Sequence, residues 1–173
     1  MQKIYYEITK TMNNLPISIC PHKKSPCKIC TGHWHRSLEL SIVFEGKVIF
    51  FNDGVKRIRY KNEVNISNCE EIHYSIPQYK EFDEKIVGYT MHINCEFLKK
   101  MIPDIKNIYF NIDEPFLNKK ITKYMMDIYS FYISDQSTKY MNILMVTLEM
   151  LIFLYETFYD DSFPKRILGS TTV

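Results

Sequence analysis

The sequence predicts a mainly β fold that ends in helices, and three observations carry this prediction. Across residues 46–93, short apolar runs alternate with polar turns, which is typical of an antiparallel sandwich or barrel. Asn52-Asp53-Gly54 separates two of these runs and predicts a hairpin, because Asp-Gly tolerates positive φ. After Cys95 the apolar residues recur at helical spacing instead. At 173 residues, the chain has the length of one domain.

The composition is that of an ordinary globular protein. Hydrophobic residues make up 46% and charged residues 24%, which excludes a disordered chain. The net charge of +2 is too small to indicate nucleic acid or an anionic membrane as a partner. The N-terminus has no signal-peptide pattern and the five cysteines are an odd number, so we expect a reduced, cytoplasmic setting. Polar residues interrupt the longest apolar stretch, residues 141–158, so we expect no membrane span.

Two helices are predicted near the end of the sequence. Asp113 has the position and type of an N-cap, and Pro115 fits the first turn of a helix. A second helix follows a polar loop, and part of its apolar surface has the 4-3-4 spacing of a coiled-coil seam. The seam residues are Leu144, Leu148, Leu151 and Tyr155. An antiparallel pair on a small barrel leaves one apolar surface uncovered, so we expect a homodimer through these residues.

The first candidate site begins at residue 33. His33 and His35 lie two residues apart, and Glu39 follows four residues later. In a strand, these three side chains point to one face and the intervening apolar residues to the other. Two imidazoles and a carboxylate are the ligands of a first-row metal site that needs one more donor.

The spacing from His33 through His35 and Glu39 to Gly46 resembles the first motif of the cupin β-barrels. The second cupin motif contributes one more histidine, and His73 stands at the corresponding place. The turn before it departs from the family pattern. Asn68 and Glu70 stand where the family has Pro and Gly, and Asn62 replaces an earlier Gly.

One branch of the cupins is a better match, namely the N-terminal sensor domain of AraC-type (AraC/XylS) transcription regulators. The segment HWHRSLEL at residues 33–40, the segment IHYSI at 72–76 and the segment INCEFLKKMIPD at 93–104 all look like that branch. The resemblance covers about residues 30–160.

This resemblance implies a cupin-like β-barrel (a double-stranded β-helix or jelly roll) with an N-terminal arm over residues 1–112. An antiparallel, dimerising helical pair over residues 113–160 would pack on the barrel in the same structural domain, followed by a linker or tail over residues 161–173. The domain would bind a small-molecule effector and would not be an enzyme. It would reach DNA only through a helix-turn-helix domain, and no such pattern follows residue 160.

The effector pocket would include polar residues of the predicted strands. The candidates are His35, Glu39, Arg57, Arg59 and His73. The two arginines would favour an anionic effector such as a carboxylate.

The alternative is a small metal-dependent cupin enzyme, an isomerase or a dioxygenase. In cupin enzymes, the set that corresponds to His33, His35, Glu39 and His73 holds Fe²⁺, Mn²⁺, Ni²⁺ or Zn²⁺ and leaves positions open for substrate. The sensor interpretation needs no cofactor. Cys27 and Cys30 form a separate C-x-x-C pattern, which suits zinc but has no second pair downstream.

Overall fold

The computed structural model describes residues 4–12, 15–26 and 31–158, which form nine strands, three α-helices and one short 3-10 helix. The predicted Cys27/Cys30 pattern and the predicted tail at 161–173 lie outside these residues. The strands are β1 (Tyr5–Tyr6), β2 (Ile17–Lys24), β3 (His33–Trp34), β4 (Leu38–Val43), β5 (Lys47–Asn52), β6 (Val55–Tyr60), β7 (Val64–Ser67), β8 (His73–Pro77) and β9 (Asp83–Ile93). The helices are α1 (Cys95–Met101), a 3-10 turn (Ile105–Asn107), α2 (Pro115–Tyr132) and α3 (Lys139–Phe158).

The strands form two sheets, and the predicted fold class, mainly β with C-terminal helices, is confirmed. The first sheet has the order β1-β3-β8-β5-β6 and the second the order β2-β9-β4-β7. Every pairing is antiparallel except that of β1 with β3. Within the described residues, the two sheets share no ladder that would close them into one barrel. The predicted hairpin is present: Asn52 pairs with Val55, and Asp53 and Gly54 have φ of 45° and 81°.

The second sheet has one apolar and one polar face. Alternate residues of β4 and β9, such as Leu40 and Met91, are fully buried in the hydrophobic core that the sheet shares with α2 and α3. Tyr89 joins this core to α2, since its hydroxyl donates to the backbone oxygen of Met125 at 2.7 Å. The opposite face points between the two sheets and carries hydroxyl, thiol, imidazole, amide and carboxylate groups. Its polar members are Ser18, Cys20, His22, Glu39, Ser41, Asn65, Ser67, Thr90 and His92.

Close approach of two strands in this sheet depends on one glycine. A Cβ atom on Gly88 of β9 would lie 2.3 Å from the carbonyl oxygen of Ile42 in β4. No side chain fits there without a shift of the backbone. Because residue 88 has no side chain, β9 can lie this close to β4. The polar faces of the two strands therefore lie next to each other.

The predicted N-cap of α2 is wrong. Glu114 occupies the cap position and makes no capping hydrogen bond, while Pro115 opens the helix as predicted. Asp113 lies one residue too early to cap. Its carboxylate instead accepts charge-assisted hydrogen bonds from Arg57 and Arg59 of β6.

Helix α3 packs on α2 and the second sheet through a fully buried face that includes Ile143, Met150 and Leu154. Within the described residues, α3 is the one helix long and apolar enough to cross a membrane by length and composition, with 39% of that window buried inside the protein. Of the predicted seam, Leu151 is only 4% exposed because it faces the protein's own core, whereas Leu144, Leu148 and Tyr155 are partly exposed. The dimer contact stays a prediction.

Candidate metal centre

Four of the predicted site residues meet between the two sheets. His33 comes from β3, His35 from the loop after it, Glu39 from β4 and His73 from β8. All four are buried, and their potential donor atoms lie within 4.8 Å of one another. Each sheet therefore contributes to the cluster, although in the sequence His73 lies far from the other three residues.

Backbone carbonyl groups fix the orientation of the three imidazoles. In each ring, Nδ1 lies at hydrogen-bond distance from a carbonyl oxygen two residues away. The pairs are His33 with Thr31 (2.9 Å), His35 with Ser37 (3.0 Å) and His73 with Glu71 (2.8 Å). Since a carbonyl only accepts, Nδ1 carries the hydrogen and Nε2 of each ring is directed into the cluster.

The turn before His73 reaches its position without the Pro and Gly of the cupin pattern. Glu70, which stands at a glycine position of that pattern, adopts a φ of 64°, as does Asn62 at the earlier one. Side chains hold the turn in place. Asn68 bonds both backbone groups of Phe110, at 2.9 and 3.2 Å, and the Glu71 carboxylate accepts from the Asn68 N–H at 2.7 Å. These hydrogen bonds replace the local rigidity that Pro gives a turn.

One oxygen of Glu39 is the common partner of three imidazoles. Glu39 Oε2 lies within hydrogen-bond distance of Nε2 of His35 at 3.1 Å, His73 at 3.2 Å and His92 at 3.2 Å. Burial alone would raise the pKa of the Glu39 carboxyl, but the charge of His73 and these hydrogen bonds hold it well below its usual value. The site was predicted without His92, which reaches Glu39 because β9 pairs with β4 in the register Glu39–His92.

The pKa values of His73 and His92 both depend on the Glu39 carboxylate. Burial lowers the pKa of His92, but hydrogen bonds with Cys20 and Glu39 outweigh it and raise that pKa to about 9. Burial also acts to lower the pKa of His73, and the charge of Glu39 raises it above its usual value. Positive charge is therefore favoured at this position, whether protons or a metal ion carry it.

The spacing of these atoms fits a metal ion. Two ligands with metal bonds of about 2.1 Å lie about 3.0 Å apart when they are at right angles. The separations between Glu39 Oε2 and Nε2 of His35, His73 and His92, at 3.1–3.2 Å, are close to that value. Imidazole and carboxylate are ligand types that Fe²⁺, Mn²⁺, Ni²⁺ and Zn²⁺ accept. The donor set therefore suits a divalent ion of this class.

A cavity of about 580 Å³ opens beside the cluster. Its walls include apolar side chains such as Val48, Phe50 and Val87, and His33, Glu39, His73 and His92 line it as well. Volume and lining are those of a small-molecule site. All five histidines of the chain lie at this cavity or in the cluster beside it.

A chain of hydrogen bonds leads from the cavity to Oε1, the other oxygen of the Glu39 carboxylate. His22 Nε2 lies 2.7 Å from the Thr90 hydroxyl, which lies 2.8 Å from the Ser41 hydroxyl, and Ser41 donates to Glu39 Oε1 at 3.2 Å. Because the carboxylate accepts, each hydroxyl donates towards it and His22 donates to Thr90. The chain orients both Glu39 oxygens. Neither His22 nor Thr90 was among the predicted site residues.

The two predicted pocket arginines lie elsewhere. Arg57 and Arg59 do not line this cavity; both bind Asp113, with Arg57 Nε 2.9 Å from an Asp113 oxygen. Asp113 thus already provides the anionic partner that was expected from an effector. Of the other pocket candidates, Glu39 and His73 line the cavity and His35 lies behind them.

No protein-family model matches the sequence, and no curated protein matches it. Several solved structures are similar. An RmlC-like cupin from Shewanella frigidimarina aligns with 45% of this chain and 66% of its own, at 14% identity and a TM-score of 0.38. The cupin domain of Schizosaccharomyces pombe Cnp3 aligns with 53% of this chain and 66% of its own, at 11% identity and a TM-score of 0.44. The chain thus spans just under two thirds of these two proteins.

A third similar structure is a salicylate 1,2-dioxygenase from Pseudoaminobacter salicylatoxidans. It aligns with 49% of this chain and 22% of its own, at 14% identity and a TM-score of 0.35. The prediction that this chain is not an enzyme is wrong. That prediction followed from the likeness to a sensor domain, whereas the structure places four potential metal ligands beside a cavity.

Proposed function

We propose that this chain is a cupin-fold, metal-dependent enzyme that acts on a small organic molecule. One observation carries the proposal: three imidazoles with fixed Nδ1 atoms and the Glu39 carboxylate bring their potential donor atoms within 4.8 Å of one another, at the wall of a cavity of about 580 Å³. A purely structural cluster would have no need of an adjoining cavity. Isomerase and dioxygenase chemistry both belong to the reaction classes that such a centre serves.

The residues around the cavity would have three roles, which are to bind the metal, to bind the substrate and to orient Glu39. His33, His35, Glu39 and His73 would hold Fe²⁺, Mn²⁺, Ni²⁺ or Zn²⁺, which supplies Lewis acidity and a site for a substrate oxygen or water. The apolar walls of the cavity would hold the body of the substrate and exclude water. The chain from His22 to Glu39 would keep the carboxylate in one orientation.

The first test is metal content. Protein purified without chelator or affinity metal is analysed by elemental mass spectrometry, together with the variants Glu39→Gln, His73→Ala and Glu84→Gln. We expect near-stoichiometric metal in the wild type and in Glu84→Gln, a matched control because Glu84 pairs with Lys23 at the surface, outside the four-ligand set. Glu39→Gln and His73→Ala should lose it. A wild type that takes up no metal, even after incubation with each of the four ions, would refute the proposal.

The second test asks whether substrate can reach the ion. Protein loaded with Mn²⁺ should enhance the relaxation of water protons, because an open coordination position exchanges water with solvent. Enhancement should fall when a small chelating acid such as oxalate is added. Bound Mn²⁺ that leaves water relaxation unchanged would indicate a closed, structural ion and would contradict an enzymatic role.

A second candidate function is the effector-binding and dimerisation domain of an AraC-type regulator. The observation that favours it is apolar surface on α3: Met141, Met145 and Ile152 are 67%, 50% and 56% exposed. A second copy of the chain would cover this surface. Analytical ultracentrifugation should then show a dimer that Met145→Glu with Ile152→Glu converts to a monomer. A monomeric wild type at high micromolar concentration would contradict this candidate.

A further inference from the structure

The N-terminal arm, residues 4–12, lies along β3 next to the cluster. Tyr5 and Tyr6 pair in parallel with His33 and Trp34, and the Glu7 N–H donates to the Trp34 carbonyl at 3.0 Å. The Tyr5 ring stacks on the His33 ring with centroids 5.6 Å apart. Further along, the Thr9 and Ser37 hydroxyl groups lie 2.8 Å apart. The arm is thus attached on both sides of Glu7.

This attachment brings the Glu7 carboxylate to the cluster. Glu7 Oε2 lies 3.0 Å from Nε2 of His33, and Glu7 lines the same cavity. Nε2 is the nitrogen of His33 that faces the candidate metal position, because Nδ1 bonds the Thr31 carbonyl. The 3.0 Å separation equals that expected for two neighbouring ligands with bonds of about 2.1 Å at right angles. Glu39 has the same relation to His35 and His73.

Charge balance points the same way. A divalent ion held by three neutral imidazoles and Glu39 alone would leave one uncompensated positive charge among buried groups, which is costly. A second carboxylate cancels that charge. Glu7 is placed to supply it, since its carboxylate lies 3.0 Å from His33 Nε2 at the wall of the cavity. Its side chain is also 41% exposed, which leaves it free to turn towards the ion.

We propose that Glu7 is a fifth ligand of the metal, supplied by the N-terminal arm. The proposal rests on the proposed function, because it presupposes that the centre binds a divalent ion. In this arrangement Glu7 and Glu39 approach from opposite sheets, and the arm forms one wall of the metal centre. The ion would then have two carboxylate and three imidazole ligands, which leaves one octahedral position for water or substrate.

The test is a Co²⁺ titration of the metal-stripped full chain, followed by calorimetry and by visible absorption. The variants are Glu7→Gln, Glu7→Asp and, as a matched control, Glu84→Gln. Glu84 pairs with Lys23 at the surface, so its substitution changes the net charge equally without touching the cluster. We expect Glu7→Gln to weaken Co²⁺ binding by about tenfold or more, as loss of a metal-site partner typically does, and to change the ligand-field bands. Glu84→Gln should match the wild type.

The variant Glu7→Asp distinguishes coordination of the ion by the Glu7 carboxylate from the effect of its negative charge alone. It keeps the negative charge but withdraws the oxygens from His33, so a true ligand predicts weaker binding and altered bands for this variant too. Wild-type binding by Glu7→Asp would show that only the field of the charge matters, and tighter binding by Glu7→Gln would show that Glu7 competes with the ion for His33. Either result overturns the proposal. A wild type that binds no Co²⁺ would instead count against the proposed function itself.

Discussion

Removal of metal should make the stability of this protein depend on pH in a particular direction. His92 has its folded-state pKa raised to about 9, from an ordinary value of 6.5, by Cys20 and Glu39. A group with a raised pKa stabilises the folded state fully below its unfolded pKa, and that contribution disappears as the pH rises through the folded pKa. We therefore expect the chelated protein to lose stability between pH 6.5 and 9.

The magnitude follows from the size of the shift. From 6.5 to about 9, at 1.36 kcal/mol per pKa unit, the contribution of His92 is of the order of 3 kcal/mol. Little discount for solvent applies, since the His92 side chain is 13% exposed. His73 is shifted in the same direction and adds to the effect. Glu39 affects stability at acid pH instead. Its pKa is depressed from 4.5, so its contribution to the free energy of unfolding is present above pH 4.5 and is lost as the pH falls further.

The assay is urea unfolding in the presence of a chelator at pH 6, 7, 8 and 9, with the wild type and His92→Gln. The wild type should lose about 1.4 kcal/mol per pH unit for each proton that the folded state retains. His92→Gln should start less stable and show a smaller slope. A wild-type stability that stays level or rises between pH 6.5 and 9 would refute the assignment of raised histidine pKa values to this cluster.

Three further predictions follow from the same structure. Metal affinity should rise with pH, about tenfold per pH unit for each proton displaced from a ligand. Calorimetry in buffers of different ionisation enthalpy will count those protons. A metal affinity that does not change between pH 6 and 8 would contradict this prediction. Gly88→Ala should destabilise the fold by about 3 kcal/mol or more, because its Cβ would lie 2.3 Å from the Ile42 oxygen. Urea unfolding checks this against Gly32→Ala, whose Cβ would meet nothing closer than 3.8 Å, and equal stabilities would contradict it. Tyr89→Phe should cost about 1–3 kcal/mol in the same assay, since it removes a buried hydrogen bond to Met125; a change below about 0.5 kcal/mol would show that the bond contributes little.

The sequence was sufficient for the fold class and for the four-residue cluster for a definite reason. His33, His35 and Glu39 are close in sequence, and the resemblance to the cupin motifs identified His73 as their partner. The local signals at the Asp53-Gly54 turn and at Pro115 were likewise confirmed, because a tight turn and a proline in the first helical turn depend mainly on neighbouring residues. The cap predicted at Asp113 failed because distant arginines hold its carboxylate.

The residues that were missed depend on pairing between distant strands. Strand parity puts Thr90 and His92 on one face of β9, but nothing local shows that β9 lies beside β4 in the register that joins His92 to Glu39. Glu7 reaches the cluster only because β1 pairs with β3. Arg57 failed as a pocket residue for the same reason, since its partner Asp113 is distant in sequence. Sheet order and register are properties of the whole chain.

The division of the second sheet into two unlike faces explains how a small protein can maintain so polar an interior. Desolvation of buried histidines and of a buried carboxylate is a cost that offsets much of their mutual attraction. The opposite face of the same strands supplies the stability: Leu40 and Met91 are fully buried beneath α2 and α3, each at about 1.5–3 kcal/mol. Core packing is thus concentrated on the helical side, and the side that faces the cavity is free to carry ligands. Substitutions in the helical core should therefore lower stability while the intact protein keeps its metal affinity, whereas Glu39→Gln should lower the metal affinity itself.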